Sequence, residues 1–213
     1  VNSGLTLEDL TVSHDGRVVA QVSASVAPGE VLTLMGPSGS GKSTILSAVM
    51  GDLAPGFSQT GRVLLAGREL DGFPPEARHI GILYQDPLLF PHLNVASNLA
   101  FGLPRGGSRA ERRAMVDAAL SDIGLEGYGS RDPATLSGGQ AARVALMRTL
   151  LSRPSALLLD EPFSKLDTEL RARIRSLVLD RARQAGIPTI LVTHDAEDAA
   201  AAGGRIVQLR SMI

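Results

Sequence analysis

The sequence predicts an α/β fold. It reads as a mostly parallel sheet with helices on both faces, an N-terminal antiparallel β-hairpin region and an inserted helical subdomain. Three observations carry this. Short, largely apolar runs at residues 31–35, 79–84, 156–159, 188–193 and 205–209 alternate with stretches of helical apolar spacing, the pattern of strands buried on both faces. Residues 5–12 and 17–26 read as strands on either side of the turn signal His14-Asp15-Gly16. From about residue 87 to 150 the β/α rhythm gives way to helical patterns alone.

Composition bounds what such a fold can do. The 213 residues suit one domain with an insertion, and 44% hydrophobic against 20% charged residues is globular composition. A formal net charge of −1 gives no global attraction to nucleic acid or acidic lipid. The absence of cysteine excludes disulfides, thiol nucleophiles and thiolate metal sites. No apolar run nears the roughly 20 residues of a membrane span, and no signal peptide is evident. A soluble, intracellular protein is expected.

Taken in order, Leu5, Leu7, Leu10 and Val12 mark the first strand, and Val18, Val22 and Val26 the second. Pro28-Gly29 breaks the chain before the apolar strand 31–35. A helix with Ile45, Leu46, Ala48 and Val49 inward is expected to end near Gly51, and residues 61–67 form a short strand between glycines. Pro74-Pro75 excludes regular structure before the strand at 79–84. In the insertion, Asn94 is placed to cap a short helix through Leu99, and Ser108 precedes a helix at 109–123. The β/α rhythm then returns, with a helix at 169–185 whose Arg171, Arg173, Arg175, Arg181 and Arg183 read as a solvated face.

The chemistry centres on Gly36-Pro37-Ser38-Gly39-Ser40-Gly41-Lys42-Ser43-Thr44, set between a strand and a helix. This is the context of a phosphate-binding P-loop: backbone N–H groups form an anion nest, Lys42 reaches the β- and γ-phosphates, and the Ser43 hydroxyl ligates Mg²⁺. The chain has 2 lysines against 19 arginines, and Lys42 is one of them. A P-loop NTPase core binding a nucleoside triphosphate follows. The strand 157–159 ends in Asp160-Glu161, where the aspartate is placed to hold Mg²⁺ and the glutamate to act as a general base. Lys42, Gln85, Asp160 and His194 all fall at strand ends, where ligands of parallel sheets bind. Leu136-Ser137-Gly138-Gly139-Gln140 opens a helix that runs to Leu151. Ser137 and Gln140 fit a capping box, but two glycines in a first turn each cost about 1 kcal/mol against alanine. Close approach of an anion would explain them.

These motifs in this order resemble the nucleotide-binding subunits of ATP-binding cassette (ABC) transporters over essentially the whole chain. The resemblance places Walker A at residues 36–44, Walker B at 157–160, the catalytic glutamate at Glu161 and the Q-loop at Gln85. The signature lies at 136–140, the D-loop at 164–167 with Asp167, and the switch histidine at His194. It implies one ABC ATPase domain, with residues 1–86 and 151–213 as core and about 87–150 as the helical signature subdomain. It implies Mg²⁺-dependent hydrolysis of ATP, with Ser43, Gln85 and Asp160 as metal ligands and Glu161, His194 and Gln85 as catalytic residues. A homodimer would sandwich each ATP between Walker A of one subunit and Ser137, Gly138, Gly139 and Gln140 of the other. An integral-membrane permease would dock on the helical subdomain at the cytoplasmic face of the inner membrane, with a solute-binding protein outside and no nucleic acid involved. Residues 90–99 resemble the same stretch of bacterial solute importers, including polyamine, iron and thiamine systems. Larger importer ATPases carry a regulatory domain after the last strand; with the sequence ending at Ile213, none is expected here. The family stacks an aromatic side chain on adenine from the first hairpin; the nearest match is His14 beside Ser13, a departure that makes it the weakest member of the site. A soluble or mechanical ABC ATPase, of the lipoprotein-release, cell-division or DNA-repair type, is the alternative.

Overall fold

A computed structural model describes residues 4–210. They form two units: residues 1–82, 155–161 and 179–213 make the first, apart from the undescribed ends, and residues 83–154 and 162–178 the second.

In the first unit, the alternation at the N-terminus becomes β1 (Leu5–His14) and β2 (Arg17–Val26), paired antiparallel. The three-residue step from Leu7 to Leu10 interrupts the period of two, and the register shifts there. Asp9 takes φ +46°, its N–H donates to Ser23 Oγ at 2.8 Å, and that hydroxyl donates back to Asp9 Oδ1 at 2.6 Å. This bulge returns Leu10 and Val12 to the buried face with Leu5 and Leu7. A third strand, β3 (Val31–Met35), leads into the helix α1 (Lys42–Met50), which ends at Gly51 as expected.

The strand expected at 61–67 is longer and starts earlier, as β4 (Phe57–Leu65), because it pairs antiparallel with β1 along its whole length. With the two-residue β5 (Arg68–Glu69) it completes a sheet of order β2-β1-β4-β5. Residues 75–77, behind Pro74, form a single 3₁₀ turn, and proline at its start is compatible with the missing N–H.

The second sheet joins β3 to β6 (Ile80–Leu83), β7 (Ala156–Asp160), β8 (Thr189–Val192) and β9 (Arg205–Gln208), in the order β6-β7-β8-β3-β9. The pairs β3–β8, β3–β9 and β7–β8 are parallel. Leu157, Leu158, Leu159, Ile190, Leu191 and Val192 are fully buried, each contributing on the order of 1.5–3 kcal/mol. The register sets Asp160 level with Val192, and Val192 level with Leu34. The carboxyl ends of three adjacent strands therefore lie along one edge. The helix α6 (Ala196–Ala202) follows β8.

The second unit holds α2 (Val95–Gly102), α3 (Arg109–Asp122) and α4 (Gly138–Leu151). Asn94 and Ser108 cap α2 and α3 as their positions predict. A fifth helix, α5 (Thr168–Gln184), begins in this unit and ends in the first. Within the first unit, Arg183 is not merely solvated: Nη2 donates to the Ala201 and Ala202 carbonyls at 3.3 and 2.6 Å, satisfying the end of α6. Among the described residues no helix is long and apolar enough to cross a membrane.

Candidate functional site

The loop after β3 is shaped by close contacts that only glycine permits. A Cβ on Gly36 would lie 2.6 Å from the Leu209 carbonyl oxygen, and one on Gly41 2.6 Å from Ala20 Cβ. Gly41 caps α1 at φ +80° without a side-chain hydrogen bond, and the first turn carries no acidic residue. The helix N-terminus keeps its N–H groups and positive dipole end available to an anion. Lys42, 8% exposed, folds back so that Nζ donates to the Gly36 and Pro37 carbonyls at 2.9 and 2.8 Å. Ser40 Oγ is buried without a hydrogen-bond partner, an unsatisfied polar atom inside the loop. A glycine cradle, an uncapped helix and a lysine over the loop fit a phosphate chain.

Beside this loop, the Ser43 hydroxyl donates to the Asp160 carboxylate at the end of β7. Burial raises the Asp160 carboxyl above the usual carboxylate range and the Glu161 charge adds to this, while the Ser43 hydrogen bond and the Lys42 charge oppose it. A buried carboxylate with a hydroxyl beside it is a fitting partial ligand set for Mg²⁺, which would offset that burial. No cluster of three or more His, Asp or Glu with metal-binding geometry occurs among the described residues. Further ligands would include phosphate oxygens and water, as is usual for Mg²⁺.

Glu161 takes φ +47°, a left-handed conformation that a non-glycine side chain adopts at a cost of about 1–3 kcal/mol. It is held there by its N–H, which donates to the Val192 carbonyl at 2.9 Å. Glu161 Oε1 lies 3.0 Å from His194 Nδ1, with side-chain exposures of 21% and 65%. His194 is positioned by its neighbours: the Asp195 N–H donates to Thr193 Oγ1 at 3.0 Å, and Asp195 caps α6 through the Glu197 and Asp198 N–H groups. Lys42, Ser43, Asp160, Glu161 and His194 thus converge in the first unit. A half-buried carboxylate oriented by an imidazole can take a proton from water.

Six predicted site residues lie in the second unit. Gln85 is exposed and lies in the second unit, as do the signature residues and Asp167. Ser137 and Gln140 form the full capping box, at 3.3 and 2.9 Å. Of the two glycines, Gly139 has a partner in its own unit: a Cβ there would lie 2.9 Å from the Lys165 carbonyl oxygen. A Cβ on Gly138 would meet nothing nearer than Lys165 Cδ at 4.0 Å. Asp167 Oδ1 accepts from the Leu170 N–H at 3.1 Å at the start of α5. In the first unit, His14 packs on Phe57 with ring centroids 4.5 Å apart, and its Nδ1 is 3.7 Å from Asp15 Oδ2.

Sequence reasoning missed the polar residues that hold these segments. Asn98, fully buried on α2, accepts from the Phe90 N–H and donates to the Phe90, Leu93 and Asn94 carbonyls, pinning the stretch that follows Gln85. Arg148 donates to the Leu88 carbonyl at 3.0 Å and lies over the Phe90 ring. Arg143, buried on α4, donates to the Ile123 carbonyl. In the first unit, buried Arg78 donates to the Val49 and Phe73 carbonyls at 2.8 and 2.9 Å, closing the end of α1. Asn98 and Arg143 sit at positions where the helical pattern expects an apolar residue, the signal that was available.

The chain matches the family model described as ABC transporter over residues 19–164. It is 50% identical over 184 residues to the ABC transporter ATP-binding protein YnjD of Escherichia coli (strain K12), covering 86% of this chain and 85% of that protein. It is 46% identical over 208 residues to the Fe(3+) ions import ATP-binding protein FbpC of Streptomyces coelicolor, covering 97% of this chain and 59% of the relative. It is 47% identical over 185 residues to the spermidine/putrescine import ATP-binding protein PotA of Methylococcus capsulatus, covering 86% and 47%. The chain therefore spans only about half to three-fifths of those two importer subunits. Among solved structures, the dimeric ATP-binding cassette MJ0796 in a post-hydrolysis state bound to ADP and Pi has a TM-score of 0.84 at 30% identity, covering 98% and 97% of the two chains. With its P-loop, its Ser43–Asp160 pair and its Glu161–His194 pair, the chain belongs to the ABC transporter family, as an ATP-binding and ATP-hydrolysing subunit.

Proposed function

We propose that this ATPase powers import of a solute through a separate membrane permease, working at the cytoplasmic face of the inner membrane as a homodimer with ATP sandwiched between subunits. The observation that carries the chemical reading is the convergence of Lys42, Ser43, Asp160, Glu161 and His194 on one sheet edge. Lys42 and the loop N–H groups bind the triphosphate. Ser43 and Asp160 would hold Mg²⁺, with Gln85 proposed as a further ligand, and the ion would supply electrostatic shielding of the phosphates. Glu161 takes the proton from the attacking water, and His194 holds the carboxylate in line. His14 lies beneath the base in this reading.

The dimer reading rests on Gly138, where among the described residues an added Cβ would meet no side chain or other element nearer than Lys165 Cδ at 4.0 Å, and on the dimeric state of the similar cassette MJ0796. In that arrangement Ser137, Gly138, Gly139 and Gln140 meet the partner's ATP, with Asp167 at the same interface. Import is supported by the similarity to FbpC and PotA, which are named as import ATP-binding proteins. Leu88 and Phe101 in the second unit are 61% and 66% exposed, an apolar surface suited to a permease helix. A solute-binding protein outside the membrane completes the proposed system.

Complementation tests the shared site. Lys42→Ala and Ser137→Arg are each expected to be inactive alone. Mixed, they regain partial ATPase activity, because one of the two interfaces in the mixed dimer is then intact. Mixed dimers that form but show no activity argue against independent shared sites. Co-purification with a multi-span permease from membranes tests the transport assignment.

A further inference from the structure

We propose that Lys165 is a positioning residue for hydrolysis: paired with Asp86, it holds the loop of residues 164–167 over the first turn of α4. The inference rests on the ATPase reading above and adds a residue to it. All of its contacts lie within the second unit.

The loop is anchored at both ends. Phe163 is fully buried, and its carbonyl accepts from the Leu166 N–H at 3.1 Å. Asp167 Oδ1 accepts from the Leu170 N–H, fixing the far end to α5. Between these anchors the Lys165 carbonyl lies so close to Gly139 that a Cβ there would sit 2.9 Å away, and Lys165 Cδ lies over Gly138. The side chain then extends to Asp86, the residue after Gln85, with Nζ 3.0 Å from Oδ1. One lysine thus ties together three stretches that carry proposed site residues: Gln85, Gly138-Gly139 and Asp167. It is also one of only 2 lysines in a chain of 19 arginines. A flexible stem ending in a single point charge can run along α4 and reach a lone carboxylate oxygen, where a planar fork favours bidentate partners.

The side chains are 36% and 82% exposed, so the pair contributes little to global stability. Its effect on geometry is larger, since a misplacement of about 1 Å can cost 10²-fold in rate. The test is steady-state ATPase kinetics with ATP binding and thermal denaturation. Lys165→Ala and Asp86→Ala are each expected to lower kcat about 5- to 20-fold, with ATP affinity within about twofold and Tm little changed. Lys165→Arg should recover only part of kcat, since the charge persists but the planar fork fits a lone carboxylate oxygen less well, and the exchange of Asp86→Lys with Lys165→Asp should restore it to within about threefold. Arg113→Ala, which breaks the exposed pair with Asp117 at 3.8 Å, serves as the control and should leave kcat unchanged. Wild-type kcat in both alanine variants, or an exchange that rescues nothing while folding normally, overturns the inference alone. A wild-type chain without ATP turnover overturns the reading of the whole site, and this inference with it.

Discussion

Gly138 and Gly139 are adjacent, share the first turn of α4 and carry the same residue type, yet alanine should act on them in opposite ways. At Gly138 a methyl group enters open space, its nearest neighbour being Lys165 Cδ at 4.0 Å. Replacing a helical glycine by alanine then gains up to about 0.5–1 kcal/mol. At Gly139 the methyl would sit 2.9 Å from the Lys165 carbonyl oxygen and 3.5 Å from Leu166 Cδ2. Overpacking of that kind costs about 1–3 kcal/mol, outweighing the gain in propensity. In a chain of this size about 1 kcal/mol moves Tm by about 2–4 °C. Gly138→Ala should therefore melt at or slightly above wild type and Gly139→Ala about 2–4 °C below it. Turnover is predicted to fall in both, because in the proposed dimer the space at Gly138 is filled by the partner's nucleotide. The assay pairs thermal denaturation of the isolated chain with ATPase rate and ATP-dependent dimerisation. Full activity in Gly138→Ala would show that nothing outside the chain approaches this turn. A Gly138→Ala chain less stable than Gly139→Ala would refute the packing argument.

Asp160→Asn should remove activity while stabilising the nucleotide-free protein at neutral pH. The folded state raises the Asp160 pKa, mainly by burial, so between the unfolded and folded values the native chain binds more protons and stability falls as pH rises. The gain from asparagine is therefore full above the folded value and shrinks as pH drops through that window, which Tm measured against pH in EDTA will show. Arg78→Ala should lower stability by about 2–4 kcal/mol in denaturant titration, since it leaves the Val49 carbonyl at the end of α1 and the Phe73 carbonyl in the loop after β5 without their donor. Arg78→Lys should recover only part of this, as one ammonium cannot reproduce the guanidinium geometry.

The parallel sheet and the phosphate loop were legible because their signals are local. A buried parallel strand announces itself as an apolar run, and Gly36 to Thr44 carries its own turn chemistry. The caps Asn94, Ser108 and Ser137 were legible for the same reason. The length of β4 was not, because its first four residues are stabilised by pairing with β1, more than 40 positions away. Gly139 read as leaving room for an anion; that the Lys165 backbone of its own unit also lies against it was not legible. The Glu161–His194 contact spans 33 positions and follows only from the parallel register of β7 and β8. No local pattern in the sequence encodes that register.

Glu161→Gln tests the account most directly. The amide keeps the size of the side chain and can still meet His194, but it cannot take a proton from water. ATP binding should stay at wild-type strength, the dimer should become stable in ATP by size-exclusion chromatography, and turnover should fall about 10²- to 10⁴-fold. Hydrolysis by the variant at the wild-type rate would contradict the assignment of Glu161 as the base.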